Sequence, residues 1–202
     1  MPKTCSERAA PETTRVVLHG PTMGTRWSAT CELAPQIDAR ALQRDLAATV
    51  ERVDAQMSPW RSDSCLVQLN QAPVGAWFAL TTEMLQILAC ALDIGRLSQG
   101  AFDIGVGALV DAWGFGAARS APDASAIRAA RALAHGPAHE TLELDLHAGR
   151  ARKLAPLQID LCGIAKGYAV DRMAEVLQHH GVAQALAALD GELRAIGGQA
   201  DG

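Results

Sequence analysis

The apolar positions change period several times along the chain, and each change marks an element. Arg15 to His19 and Arg26 to Leu33 carry the two-residue alternation of strands, separated by Gly20-Pro21-Thr22-Met23-Gly24-Thr25. Ile37, Leu42, Leu46, Val50, Val53 and Met57 then fall on one helical stripe with charges opposite, so residues 37–57 read as an amphipathic helix. Pro59 ends it and biases Ser58 away from helical backbone, which places Trp60 on a loop. A tryptophan there is more often a packing lid than a ligand platform. Ser62 or Asp63 is expected to cap a short helix closing near Leu69-Asn70.

Val74 to Leu80 reads as a short strand. Thr82 is the expected cap of a helix through Ala89, Leu92 and Ile94 to about Ser98, closed by Gly100. The run from Gly100 to Gly116 holds five glycines with Phe102, Trp113 and Phe115, and matches no regular element. Such a loop lets backbone approach a ligand and offers aromatic faces, although glycine richness alone is a weak signal. Residues 120–136 read as loop then helix, capped by Asp123 or Ser125, with Ile127, Ala130, Leu133 and Ala134 inward. Leu142, Leu144 and Leu146 alternate as a strand, as do residues 151–161. Ala185 to Leu189 and Leu193 to Ile196 read as strands around the turn residues Asp190-Gly191. Strands outnumber a simple βαβ alternation and helices come in pairs, which favours an α+β fold with mixed or antiparallel sheets over a doubly wound sheet. Residues 1–13 read as a loose tail and 14–202 as one domain.

The stretch Leu157 to Asp171 concentrates the chemistry. Leu157, Ile159 and Leu161 alternate as in a strand, and from Ile164 the apolar spacing turns helical through Tyr168, Met173, Val176 and Leu177 to a stop at Gly181. Gly163 sits at the changeover, where a residue without a Cβ is useful. The first turn then presents backbone N–H groups beside Lys166, with Gly167 small and Asp160 at the strand end. Helix N-terminus and cation together suit an anion. A plain strand-to-helix junction with a solvated lysine accounts for the stretch equally well when it is read alone.

Composition narrows the classes. The 202 residues are 49% apolar and 20% charged with a formal charge of −4, which speaks against disorder and against a polybasic nucleic-acid binder. No apolar run approaches the roughly 18 residues of a membrane span, and the first residues lack the apolar core of a signal peptide. Cys5, Cys31, Cys65, Cys90 and Cys162 are odd in number and scattered, so free thiols in a reducing, cytoplasmic setting are expected. The His179-His180 pair at a helix end reads as a surface cation.

Four stretches in this order resemble the FAD:protein FMN transferases, the ApbE-like flavin transferases. They are Met23-Gly24-Thr25; Met57-Ser58-Pro59-Trp60 with Ser64 and Leu69-Asn70; Gly100 to Gly116; and Ile159 to Asp171. Leu189 to Gly197 matches the family's paired-glycine turn more loosely. The ordered set spans about residues 15–198. The resemblance implies a T-fold-like α+β architecture and an enzyme that splits FAD, releases AMP and attaches FMN to a Ser or Thr hydroxyl of an acceptor protein. Mg²⁺ is the expected metal. A homodimer stays open, and many family members are exported.

Carried over by position, the implied flavin and adenosine contacts are Met23, Trp60, Ala101, Phe102 and Asp103. Asp160 and Lys166 match further FAD contacts, and Gly163 the residue whose carbonyl ligates the metal. Gly105 stands where the family usually has Thr, and Asp190 replaces the first glycine of the paired-glycine turn. The family continues past the position of Gly202 into a part with a His near the transferred phosphate and the Asp and Thr of the Mg²⁺ site. The expectation is therefore a domain short at its C-terminus, with a catalytically impaired flavin-binding remnant or split half as the alternative. A scaffold with no ligand is the third reading. Trp60, the Gly100–Gly116 run and the Lys166 helix entry all oppose it.

Overall fold

The computed structural model describes residues 12–116, 121–132 and 136–198. The chain divides into two compact units, one made of residues up to Val50 together with those from Val170 onward, the other Glu51–Ala169. The boundaries fall inside two helices, α1 (Ala39–Met57) and α7 (Ala165–His179).

The first unit is built on a four-stranded antiparallel sheet, ordered β1-β2-β6-β7. Its strands are β1 (Thr14–Thr22), β2 (Thr25–Leu33), β6 (Ala185–Leu189) and β7 (Glu192–Ile196). Trp27, Ala29, Cys31 and Leu33 alternate inward on β2, joined by Ala187 and Leu189 of β6, as a sheet with one solvated face requires. Leu42, Leu46 and Val50 of α1 and Val170, Met173 and Leu177 of α7 add their buried stripes. The first two strands run further than the alternation predicts. Pro21 lies inside β1, which is tolerated because β1 is an edge strand. The pairing closes at Thr22↔Thr25, so Met23 and Gly24 alone make the turn. Both have positive φ, 44° and 71°, the geometry that matches the twist of a two-residue hairpin. Asp190 and Gly191 turn β6 into β7 in the same way, with φ of 50° and 109°. There the predicted hairpin is found.

The second unit carries a three-stranded antiparallel sheet, ordered β3-β5-β4, from β3 (Phe78–Ala79), β4 (Leu142–Asp145) and β5 (Arg150–Lys153). Its helices are α2 (Cys65–Gln71), α3 (Thr82–Leu97), α4 (Gly107–Ala112), α5 (Ala124–Ala132) and α6 (Ala138–Thr141), with one 3₁₀ turn at Ile104–Val106. Leu66, Leu69, Met84, Leu88, Ile104, Ile159 and Leu161 are among its buried side chains. The α+β class with antiparallel sheets is as expected.

Several boundaries differ, each for a local reason. The strand expected over 74–80 shrinks to two residues because Pro73 and Ala76 close a turn and Gly75 has φ +81°. The cap of α2 is Ser64, not Ser62 or Asp63: its Oγ accepts from Val67 N at 3.1 Å and donates to Ser58 O at 2.7 Å. Asp63 instead faces Arg61. Thr81 rather than Thr82 caps α3, accepting from Met84 N at 3.1 Å. Asp123 caps α5 as one of the two candidates, taking the N–H groups of Ser125 and Ala126. No described residue of α5 is fully buried, Ile127 and Ala130 being only half-buried; Leu133 and Ala134 lie outside the described residues. The Gly100–Gly116 run, expected to be irregular, contains the 3₁₀ turn and α4. The strand expected over 151–161 stops at Lys153, and after a bend at 154–155 residues 156–160 lie outside any helix or sheet. No helix among the described residues is long and apolar enough to cross a membrane. The thiols of Cys31, Cys65, Cys90 and Cys162 are free.

Candidate functional site

Within the second unit, three short segments are tied to one another. The first leaves α3. Gln99 and Gly100 take positive φ, 54° and 82°, and Gly100 N reaches back to Gly95 O at 2.9 Å, which closes the helix. The chain that emerges is Ala101-Phe102-Asp103, with Phe102 N bonded to Ser98 Oγ at 3.0 Å. Asp103 caps the 3₁₀ turn. Its Oδ1 accepts from Gly105 N at 2.8 Å and from Ala138 N at 3.0 Å, so one carboxylate oxygen joins this segment to the start of α6.

The second segment is the stretch before α7. Gln158 O accepts from Gly107 N at 3.0 Å, and Asp160 N donates to Ile104 O at 2.8 Å. A Cβ on Gly107 would lie 2.8 Å from Gln158 O, so the two backbones meet only because residue 107 is glycine. Ile159, between them, is buried and bonded at both its backbone groups by the Asn70 side chain.

The third is the entry to α7. Asp160 Oδ1 accepts from Cys162 N at 2.8 Å and turns the chain toward Gly163. A Cβ on Gly163 would stand 3.3 Å from Cε2 of Phe102, so the aromatic edge lies against this turn. Gly163 does not have positive φ; its missing side chain leaves room for the ring. Gly167, by contrast, has open space where a Cβ would be.

The electrostatics of these segments are local. Burial and then the Asp160 carboxylate push the Cys162 thiol up to about 12, while the Lys166 ammonium pulls the other way. Cys162 is therefore a thiol, not a nucleophile, at neutral pH. Asp111 of α4 is raised above the ordinary carboxylate range by desolvation first and Asp160 second. Two carboxylates thus stand near one another beside the α7 entry.

Of the residues implied by the resemblance, Phe102, Asp103, Asp160, Gly163 and Lys166 fall on these segments, with Ala101 exposed beside them. Trp60 stands in the same unit on the α1–α2 loop, 41% exposed, with its backbone N–H directed to Ser58 Oγ at 3.3 Å. Met23 belongs to the other unit, at the β1–β2 turn. Sequence reasoning assigned no role to Asn70 or Asp111. Asp111 had a visible clue, an acid within a glycine-rich run.

The resemblance runs along nearly the whole of this chain. Residues 23–202 match the model of the ApbE family. The chain belongs to the ApbE family. The FAD:protein FMN transferase of Klebsiella pneumoniae is 34% identical over 200 residues, covering 96% of this chain and 56% of that protein. That of Vibrio cholerae is 36% identical over 193 residues, covering 93% and 56%. Among solved structures, the flavin transferase ApbE from Vibrio cholerae superposes with a TM-score of 0.85 at 35% identity, covering 95% of this chain and 62% of that one. The apo flavinyl transferase ApbE of Pseudomonas stutzeri gives 0.82 at 32% identity, covering 94% and 63%. This ApbE-family chain spans a little over half the length of those curated relatives.

Proposed function

We propose that this chain binds FAD and serves the transfer of its FMN moiety to a Ser or Thr hydroxyl of an acceptor protein. In that reaction the hydroxyl oxygen bonds to the flavin-side phosphorus, the pyrophosphate P–O bond breaks, the hydroxyl proton is lost and AMP leaves. The observation that carries the reading is the junction of Phe102, Gly163, Asp160 and Lys166: an aromatic ring laid against a turn that opens a helix, with a cation in its first turn. A helix N-terminus with a lysine suits phosphate oxygens, and an aromatic edge suits a flavin or adenine ring. The names of the ApbE relatives support the same substrate. Ala101, Asp103 and Trp60 complete the proposed flavin contacts of this unit by resemblance. Asp103 Oδ1 is already bonded to two backbone N–H groups, so its contribution is to hold the Phe102 segment as much as to touch a ligand.

The resemblance also gives Mg²⁺ as the metal, with the Gly163 carbonyl as one ligand. The described residues do not fit that ion by themselves. No group of three or more His, Cys, Asp or Glu side chains among them is placed to hold a metal, and a carbonyl is a single neutral donor where Mg²⁺ favours carboxylate and phosphate oxygens.

The test is to incubate the purified chain with FAD, Mg²⁺ and a peptide bearing the Ser/Thr target, following peptide mass and free AMP. Peptide carrying covalent FMN, with AMP released in step, is expected. Tight FAD binding without transfer would reduce the function to flavin binding, and absence of both would overturn it.

A further inference from the structure

We propose that Asn70 is a positioning residue for FAD: its carboxamide stands in for a neighbouring strand and fixes the segment that carries Asp160 and leads into Lys166. The proposal rests on the FAD reading above and names what holds that site in register.

Residues 156–160 belong to no helix and no sheet. Buried backbone groups in such a segment must find partners elsewhere. Asn70 supplies both for Ile159. Its Oδ1 accepts from Ile159 N at 2.8 Å, and its Nδ2 donates to Ile159 O at 2.9 Å. These are the two bonds a residue exchanges with its opposite number in an antiparallel ladder. With Gln158 O held by Gly107 N, and Asp160 N by Ile104 O, three successive residues are fixed from two sides.

Asn70 is itself anchored. It lies in the last turn of α2, and its carbonyl accepts from Lys153 Nζ. Lys153 is 5% exposed, so a buried ammonium is committed to this one helix end. The requirement for Asn is chemical. A carboxamide offers a donor and an acceptor side by side; Asp offers two acceptors, Ser a single oxygen, and Gln a longer arm. Leu69 beside it is buried, which pins the helix turn. The consequence falls on Asp160, one residue on, and through the Asp160–Cys162 turn on the start of α7.

A purely structural staple would lower stability and leave ligand discrimination alone, so the experiment measures discrimination. The wild-type chain, Asn70→Ala, Asn70→Asp, Asn70→Ser and Thr81→Ala are titrated with FAD, AMP and riboflavin, and thermal melts are recorded for each. Thr81→Ala removes the α3 cap and serves as a destabilised comparator. Asn70→Ala is expected to lose about tenfold in FAD and AMP affinity and much less for riboflavin, which has no phosphate. Thr81→Ala should keep wild-type affinities. Asn70→Asp keeps one acceptor but sets a charged oxygen against Ile159 O, so its loss for FAD should be at least as large as that of Asn70→Ala. Folded Asn70 variants with unchanged FAD affinity, or with equal losses for all three ligands, would overturn the proposal. If Asn70→Ala does not fold, the neutral Asn70→Ser, which leaves one hydroxyl for Ile159, decides by the same criterion. Wild type that binds neither FAD nor AMP would instead defeat the functional reading, and this proposal with it.

Discussion

The edge of the Phe102 ring faces the bare side of Gly163, with Cε2 3.3 Å from where a Cβ would sit. Sixty-one residues of sequence separate them, and the contact joins the glycine-rich stretch to the entry of α7. Gly163→Ala must push the ring by a few tenths of an ångström. Phe102 is only half-buried and can tilt, so the cost in stability should stay near or below about 1 kcal/mol. FAD affinity should fall by more than that, because the displaced ring is the proposed flavin or adenine contact. Thermal melts and flavin-fluorescence titration measure the two effects. An Ala variant with wild-type FAD affinity would detach Phe102 from the site.

Trp60 offers a cleaner separation of binding from folding. Its side chain is well exposed, while the loop beneath it is held by Ser58 and Ser64. Trp60→Ala should therefore leave the melting temperature nearly unchanged. Binding of FAD should weaken by about 1 kcal/mol or more if the indole stacks on the ligand. Equal affinities in wild type and variant would return Trp60 to a bare surface role.

How much of this was legible beforehand depends on the range of the interaction concerned. The α1 stripe, the β6–β7 hairpin around Asp190-Gly191 and the strand-like alternation at Ile159 and Leu161 could all be read, because each reflects which side of a local element is buried. The alternation at Ile159 nonetheless predicts a strand that the fold does not form there. Extended backbone buries alternate side chains whether or not a strand lies beside it, and here the partner is a side chain 89 residues away. No spacing rule reaches Asn70 from Ile159. The same holds for Asp103 and Ala138, joined across 35 residues. Caps were misplaced by one or two residues where Ser and Thr cluster, as at Ser62/Ser64 and Thr81/Thr82, since several neighbours had the right chemistry and tertiary contacts chose among them. The candidate site residues came from resemblance. Their grouping within the second unit came from the fold.

Lys166 gives the test that separates charge from packing. It stands in the first turn of α7, where backbone N–H groups and an ammonium together favour phosphate oxygens. Lys166→Ala should weaken FAD and AMP binding, by about 1 kcal/mol or more for a charge-assisted contact, and change riboflavin binding far less. Raising the salt concentration should narrow the gap between wild type and variant. A loss shared equally by riboflavin would mean that Lys166 acts through the fold.

Asp111 makes stability depend on pH in a direction that can be worked out. Its carboxylate stands where a Cβ on Gly116 would have to go, and it is raised above the ordinary aspartate value by desolvation and then by Asp160. A carboxyl whose folded pKa exceeds its unfolded one binds its proton more tightly in the native state. Its contribution to stability is then fully present below the unfolded value of about 4 and is lost as pH rises through the folded value. At neutral pH the native state holds two neighbouring carboxylates, Asp111 and Asp160, one of them partly desolvated. Asp111→Asn removes the charge while keeping the shape. The variant should be more stable than wild type at pH 7, and the difference should shrink toward pH 3, where Asp111 is protonated in both states. Because Asp111 is largely exposed, screening will keep the effect small, so the change of the difference with pH is the informative quantity. Urea melts of both proteins from pH 3 to pH 8 supply it. A difference that stays constant across that range would show that Asp111 acts through packing against Gly116, and that its repulsion with Asp160 carries no weight.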